Sequence, residues 1–247
     1  MENLSFNEKL NNLYITSYGN STYSNLWYCD NINKVCFTFT PRGGCSIAFK
    51  QYLALVGLLD EGLQYNSWIH CYRANIIDKC VKYCDIENLI NEKYKFIKFI
   101  MNPYIRAVSI WRLQTSHNLS FREYLKQLTT NSIDYFNKND KYHYHQQYID
   151  GEENIITKYI KVDKFEKYAL KLANGTLYEI DVNKYTADHH GIKKDNTQFC
   201  GDLPANIIND NLPKSYKYFY DEEIKKMVEN FYEADIKHYG YSFNDFD

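Results

Sequence analysis

A buried strand that runs through a glycine-rich turn into an apolar helix is the most restrictive feature of this chain. Residues 35–40 read VCFTFT, a β-branched and aromatic run typical of a strand, and the run ends at Pro41. The turn PRGGCS follows, and the apolar stretch 47–59, which ends near Gly62, predicts a largely buried helix. A strand, a tight turn and a helix in this order are typical of an α/β fold.

The remaining patterns alternate strand and helix along the chain. We expect strands at 67–72, 94–101, 155–162 and 177–180, and helices at 86–92, 103–113, 121–128, 163–173 and from 221 onward. This order predicts a central, mainly parallel sheet flanked by helices. With only four prolines and no repeat or linker, residues 1–247 are expected to form a single domain. Residues 1–30 would be a peripheral N-terminal segment, and 181–213 a long loop.

Charge and hydropathy exclude several classes of function. The 247 residues carry 29 Lys and Arg against 31 Asp and Glu, a formal net charge of -2, so nucleic acid is not an expected partner. No run approaches the roughly 18–20 apolar residues of a membrane span, and residues 1–12 do not resemble a secretory signal. The seven cysteines, an odd number, favour free thiols in a reducing compartment. A cytoplasmic protein, of viral or microbial source, fits these features.

The turn after the first strand has the composition of an anion site. Its glycines let the backbone approach a ligand, and the N–H groups at a helix start favour a phosphate or sulfate. Arg42 adds a positive charge, and Ser46 adds a hydroxyl donor. The predicted binding residues are Pro41, Arg42, Gly43, Gly44, Cys45 and Ser46. The alternative is a tight strand–helix turn with an incidental arginine. A kinase is disfavoured because no lysine precedes Ser46, as the G-x-x-x-x-G-K-[ST] pattern requires.

Three stretches in the same order resemble motifs of one enzyme family. Residues 40–46, TPRGGCS, are similar to the 5′-phosphosulfate loop of sulfotransferases, T-P-K-[ST]-G-[CG]-[ST]. Residues 100–112, IMNPYIRAVSIWR, resemble the family's 3′-phosphate motif, R-[DN]-P-[YF]-x-R-[LA]-V-S-x-[YW]-R. Residues 231–241, FYEADIKHYGY, resemble the Y-x-x-D-x-x-x-F-G-Y ending of the carbohydrate-type, heparan 2-O-sulfotransferase-like branch. The chain thus resembles sulfotransferases that use 3′-phosphoadenosine-5′-phosphosulfate (PAPS).

The resemblance implies a fold, a donor and an acceptor. The family fold is a three-layer sandwich similar to P-loop NTPases. PAPS would bind, adenosine 3′,5′-bisphosphate (PAP) would be the product, and no metal would be needed. The acceptor would be a hydroxyl, of a carbohydrate or another compound. Arg42 stands where the family has a lysine, and Met101 where it has its first 3′-phosphate arginine. The remaining candidates for the 3′-phosphate are Ser109, Arg106, Lys98, Lys193 and Lys194.

Three histidines are candidates for the base that accepts the proton of the acceptor hydroxyl. His70 ranks first, because it is the only histidine between the two donor motifs, where the related branch has its base. The alternative for His70 is a core histidine bonded to backbone. His143 and His145 lie in YHYHQQ, which resembles the H-x-x-P-Q segment of carbohydrate sulfotransferases without its proline. This aromatic segment is either a sugar-binding cleft or a solvated loop.

Two function hypotheses follow. The first is a PAPS-dependent sulfotransferase that works by in-line displacement. The second, motivated by Met101, is a catalytically inactive relative that keeps the fold and binds a nucleotide or a sulfated glycan. The oligomeric state and the acceptor are left open by the sequence.

Overall fold

The chain forms two compact units in the computed structural model. The structure describes residues 4–20, 23–113, 118–130, 141–185, 197–208, 213 and 215–246. The first unit comprises Met1–Ile100 and Ile149–Ala187, and the second comprises Met101–Tyr148 and Asp188–Asp247. All the strands within the described ranges belong to the first unit, whereas the second is helical there.

Six strands form the central sheet of the first unit, in the order β4-β1-β2-β3-β5-β6. They are β1 (Leu13–Asn20), β2 (Tyr23–Asp30), β3 (Val35–Phe39), β4 (Lys82–Tyr83), β5 (Lys95–Ile100) and β6 (Ile156–Lys161). The pairs β3–β5, β5–β6 and β1–β4 are parallel, and β2 is antiparallel to both of its neighbours. A separate antiparallel hairpin comprises β7 (Lys167–Lys171) and β8 (Leu177–Asp181). The expected α/β class with a mainly parallel sheet is confirmed.

Helices cover both faces of this sheet within the first unit. On one face, α2 (Cys45–Leu55) packs Phe49 against Tyr28 and Tyr52 against Phe37, with ring centroids 5.1 and 6.2 Å apart. On the other face, Leu89 of α6 (Ile86–Asn91) joins a buried cluster that comprises Trp27, Cys29, Cys36, Tyr94 and Phe96. The alternation of side chains along a strand sends Cys36 and Phe37 to opposite faces. The result is three layers, helix–sheet–helix.

Short helices complete both units. In the first unit they are α1 (Phe6–Asn11), α3 (Leu59–Tyr65), α4 (Ile69–Tyr72), the π-helical turn Arg73–Ile77 and α5 (Asp78–Cys80), with 3-10 turns at Glu152–Asn154, Val162–Lys164 and Val182–Tyr185. In the second they are α7 (Pro103–Trp111), α8 (Phe121–Thr130), α9 (Lys141–Tyr144), α10 (Ala205–Ile208), α11 (Glu222–Phe231) and α12 (Glu233–Tyr239), with 3-10 turns at Tyr216–Phe219 and Phe243–Phe246. Rings of Trp111, Phe121 and Phe219 pack at the centre of the second unit.

Helix starts in the second unit follow their capping residues. Asn102 accepts a hydrogen bond from the Tyr104 N–H at 2.9 Å, and Pro103 takes the first helical position of α7. Before α8, the Ser120 hydroxyl accepts the Glu123 N–H at 3.2 Å, and the Glu123 carboxylate accepts the Ser120 N–H at 2.8 Å. Asp221 caps α11 through the Ile224 N–H at 2.9 Å. The predicted helices at 103, 121 and 221 are therefore confirmed at their starts.

Three predictions for local structure are wrong. Residues 67–72, predicted as a strand, contain α4, because Ile69 and Tyr72 are both buried three residues apart, at the helical period. Residues 163–173, predicted as a helix, contain a 3-10 turn and β7, which pairs with β8 across a turn that the Gly175 N–H closes onto the Leu172 carbonyl oxygen. The segment 1–30 is not peripheral, since β1 and β2 lie inside the sheet and bury Leu13, Ile15 and Trp27.

The segment predicted as the long loop 181–213 contains short helical elements where it is described. The 3-10 turn Val182–Tyr185 and the helix α10 account for them. Residues 186–196, 209–212 and 214 lie outside the described part of the chain.

Candidate functional site

The turn between β3 and α2 has the conformation that its glycines permit. The Gly43 N–H donates to the Thr40 carbonyl oxygen at 2.8 Å and closes the turn. Gly44 has a φ of 89°, in the left-handed region that favours glycine, and Arg42 also has a positive φ, of 61°. The first bond of α2 follows from the Ala48 N–H to the Gly44 carbonyl oxygen, at 2.9 Å. Pro41, Arg42, Cys45 and Ser46 remain half-buried around this bend, and Gly43 is buried.

Gly44 is also required by packing. A Cβ atom at this position would lie 2.7 Å from Cγ1 of Val162, a buried residue that directly follows β6. The bend is therefore pressed against the residue after a parallel strand two positions away in the sheet. A side chain at position 44 is therefore unfavourable for two reasons, the positive φ of the backbone and this contact.

The bend has several groups suited to an anion. The first-turn N–H groups of α2 are not used within the helix and carry the positive end of its dipole. Arg42 adds a guanidinium within the bend. Thr40, which directly precedes the bend, is buried, and its hydroxyl has no hydrogen-bond partner within the ranges that the structure describes. Because buried hydroxyls are almost always paired, a ligand oxygen or a water is the natural partner for this one.

His70 contacts the bend directly. Its Nε2 lies 3.0 Å from Oγ of Ser46 and 3.4 Å from Sγ of Cys45. The helix α4 positions the half-buried imidazole, whereas Ser46 belongs to the first turn of α2. Which partner donates depends on the imidazole tautomer. The first-ranked histidine and the predicted anion-binding turn thus occur in one place, with a proton-accepting nitrogen next to a hydroxyl.

Arg73 is a second cation near the turn, and the sequence reasoning missed it. Its guanidinium carbon lies 5.9 Å from the ring centroid of Phe39, the last residue of β3. Its Nε is 3.8 Å from Oδ2 of Asp78, a carboxyl whose pKa burial raises. Arg73 begins a π-helical turn, a feature common at functional sites. Sequence patterns do not mark such a turn, because it is defined by backbone hydrogen bonds.

Trp68 is a second residue that the sequence reasoning missed. Its ring centroid lies 5.8 Å from that of His70, with an interplanar angle of 75°. The indole is 58% exposed. The strand predicted for 67–72 assigned Trp68 no role, and its exposure is evident only from the structure around α4.

Two of the residues expected to bind the 3′-phosphate, Arg106 and Ser109, are buried within α7. Arg106 is fully buried in α7, and its guanidinium donates to the carbonyl oxygens of His145 and His143, at 2.7 and 2.9 Å. A phosphate would have to displace these bonds, so we assign Arg106 to the scaffold of the second unit. Ser109 lies nearly buried in the same helix. Lys193 and Lys194 lie outside the described residues.

The charge of Lys98 is also engaged within the protein, by the carboxylate of Glu152. Lys98 lies in the middle of β5, in the first unit, and is completely buried against the equally buried carboxylate of Glu152. Glu152 also accepts the Ile149 N–H, at 3.1 Å. This pair is part of the core of the first unit.

His143 and His145 belong to a segment that the second unit holds by its backbone. Besides the two bonds from Arg106, the Gln147 side chain bonds both backbone groups of Met101, at 2.7 and 2.9 Å. Asp235, a buried residue of α12, accepts the Tyr148 N–H at 2.7 Å. Within this unit, residues of the stretches 100–112 and 231–241 therefore contact the 143–148 segment. Both imidazoles are half-buried.

No protein-family model, curated protein or solved structure matches this chain.

All seven cysteines are free thiols. Among the described residues, no cluster of three His, Cys, Asp or Glu side chains is arranged to hold a metal ion. None of the described helices is both long and apolar enough to cross a membrane.

Proposed function

We propose that this chain is a PAPS-dependent sulfotransferase that transfers a sulfuryl group to a hydroxyl acceptor, a carbohydrate or another compound. The observation that carries the proposal is the 3.0 Å contact between His70 Nε2 and Ser46 Oγ. It joins a candidate base to a turn whose amides and Arg42 suit a sulfated phosphate. The similarity of residues 40–46 to a 5′-phosphosulfate loop supports the same ligand.

The proposed reaction is an in-line displacement at sulfur. The acceptor oxygen attacks the sulfur atom, and the bond from sulfur to the bridging oxygen of the 5′-phosphate breaks. The leaving phosphate of PAP gains negative charge, which Arg42 and the N–H groups of α2 would stabilise. His70 would accept the proton of the acceptor hydroxyl. Alignment and charge stabilisation supply most of the rate in such group transfers.

We also propose that the fold is a three-layer sandwich similar to that of P-loop NTPases. Its support is the parallel pair β3–β5, with the anion turn directly after β3 and helices on both faces of the sheet. Ligands in open α/β sheets commonly bind outside the carboxyl ends of the strands. For the 3′-phosphate, Ser109, Lys193 and Lys194 remain the candidates from the sequence.

Binding of PAP to the full chain tests the donor site. PAP should raise the free energy of unfolding by about 2.7 kcal/mol at a concentration of 100 times its Kd, measured as a thermal shift. Arg42→Met should weaken this effect, whereas Lys226→Met, on the exposed side of α11, should not. Absence of any shift at millimolar PAP with the unaltered chain would overturn the proposal.

Transfer of labelled sulfate from PAPS tests the reaction. His70→Gln keeps a hydrogen-bonding side chain but removes the base, so kcat should fall about 100-fold or more while the PAP thermal shift persists. Acceptors would be neutral and anionic glycans, tyrosyl peptides and phenols.

The alternative function is a binding protein without transferase activity. Met101, in place of an arginine, and the burial of Arg106 favour it, because both remove expected charge from the 3′-phosphate motif. A PAP thermal shift without transfer to any acceptor of the panel would support this alternative over the enzyme.

A further inference from the structure

Trp68 differs from the other two tryptophans of the chain. Trp27 and Trp111 are each 1% exposed, whereas Trp68 is 58% exposed. A single exposed aromatic residue is ordinary on a protein surface. Trp68 is distinguished by its ordered backbone and by its contact with His70.

The backbone around Trp68 is fixed. Its N–H donates to Oδ1 of Asn66 at 2.8 Å, and its carbonyl oxygen accepts the Cys71 N–H at 2.9 Å. The indole therefore projects from a closed turn at the start of α4. A platform that is already ordered loses little conformational entropy when a ligand binds to it.

Trp68, His70 and Ser46 form a continuous chain of contacts. The indole and imidazole centroids are 5.8 Å apart in an edge arrangement, and the imidazole contacts Ser46 Oγ at 3.0 Å. A pyranose ring stacked on the indole would therefore lie next to the imidazole that contacts Ser46. We propose that Trp68 is the platform for a neutral pyranose acceptor. This inference rests on the proposed sulfotransferase function.

The neighbouring side chains favour a neutral sugar over other occupants. Asn66 and Ser67, which directly precede Trp68, are exposed and supply polar groups of the kind that orient a ligand in a binding site. Residues 59–73 contain two acids, Asp60 and Glu61, and one arginine, Arg73, which is paired with Asp78. A polyanionic glycan would find no basic patch in this segment.

Tryptophan fluorescence gives a direct test, since Trp68 is the one tryptophan open to a soluble quencher. Acrylamide quenching would be measured on the full chain with PAP present, with and without lactose, cellobiose or N-acetyllactosamine at millimolar concentrations. We expect a neutral saccharide to lower the Stern–Volmer constant at least twofold. Trp68→Ala should remove both the quenching and the protection. Leu63→Ala, which truncates another exposed apolar side chain nearby, should keep both.

Steady-state kinetics gives the second readout. Trp68→Ala should raise the KM for the saccharide about tenfold or more, with the PAP thermal shift and the melting temperature unchanged, and Trp68→Phe should restore part of the affinity. A role in folding alone would lower the melting temperature instead.

The outcomes separate this inference from the function on which it rests. A PAP thermal shift with no protection by neutral saccharides would overturn the platform and leave the donor site standing. Protection only by p-nitrophenol or by heparin oligosaccharides would also overturn it. Protection by a neutral saccharide without a PAP thermal shift would support a sugar site and count against the sulfotransferase.

Discussion

At the scale of single residues, two positive φ angles define the bend after β3. Gly44 adopts its φ of 89° without steric penalty, but Arg42 holds a φ of 61° although it has a Cβ atom. Strained backbone of this kind is typical of functional sites, where neighbouring structure enforces it. Here the Gly43–Thr40 hydrogen bond and the contact with Val162 are the enforcing structure. The strain at Arg42 is therefore consistent with a role for its charge.

Gly44→Ala should lower the free energy of unfolding by about 3 kcal/mol, because a left-handed residue with a Cβ and an overpacked contact each cost on the order of 1–2 kcal/mol. Gly175→Ala is the matched control. It has nearly the same φ, 84°, but nothing within 4 Å of the added Cβ, so only about 1 kcal/mol should be lost. Urea unfolding of both variants measures the difference. Equal losses would show that the Val162 contact does not restrict position 44.

At the scale of elements, the buried Lys98 of β5 pairs with a carboxylate of the 3-10 turn Glu152–Asn154. Lys98 and Glu152 are both fully buried, and the carboxylate also accepts a backbone N–H. Removing two charges from water is unfavourable, so the intact pair adds little to the free energy of unfolding. Removing only one partner is strongly destabilising, because it leaves the other charge buried and uncompensated.

Lys98→Met should lower the free energy of unfolding by about 4 kcal/mol, since it leaves the Glu152 carboxylate buried without its cation. Lys98→Met combined with Glu152→Gln should lose less than half of that, because the amide oxygen can still accept the Ile149 N–H. Lys126→Met, which breaks an exposed pair with Glu223, is the control and should change stability by less than about 1 kcal/mol. A double variant less stable than the single one would contradict this account.

In the second unit, α7 holds the 143–148 segment through Arg106. Arg106→Met should lower the free energy of unfolding by about 3 kcal/mol, because two carbonyl oxygens lose their donors in the interior. Arg106→Lys should recover only part of this loss, since a lysine lacks the forked geometry. Chemical denaturation of both variants is the measurement. If Arg106→Lys were as stable as the unaltered chain but bound PAP more weakly, Arg106 would be a ligand-binding residue after all.

At the scale of the whole molecule, tyrosine burial sets the response to alkali. The chain has 25 tyrosines, and burial raises the pKa of Tyr52 and Tyr220 well above the ordinary value and that of Tyr232 to about 12. Between pH 10 and the folded-state pKa, the folded chain keeps protons that the unfolded chain loses. Stability therefore falls as the pH rises above about 10, by about 1.4 kcal/mol per pH unit for each such tyrosine.

A pH jump from 8 to 12 should separate the two kinds of tyrosine. Exposed tyrosines should ionise within the mixing time, and buried ones should ionise later, at the rate of unfolding seen by circular dichroism. Absorbance at 295 nm records both phases. A single fast phase that includes every tyrosine would show that the rings are accessible in the folded chain.

Local sequence patterns determined a large part of the fold. The strands β3 and β5 and the starts of α7, α8 and α11 follow from apolar runs and capping residues, whose effects act within a few residues. The bend at 41–46 is also local, because its glycines and proline restrict the backbone directly. The candidate anion turn could therefore be found without the structure.

What the tertiary structure decided depends on residues far apart in the chain. The place of β1 and β2 within the sheet and the helix at 69–72 follow from which side chains find a buried surface, and a short amphipathic segment does not specify this. Likewise, the sequence marked His70 as the first-ranked base and Arg106 as a candidate for the 3′-phosphate. Packing placed one next to Ser46 and buried the other against two carbonyl oxygens, because the surroundings of a long side chain are set by distant segments.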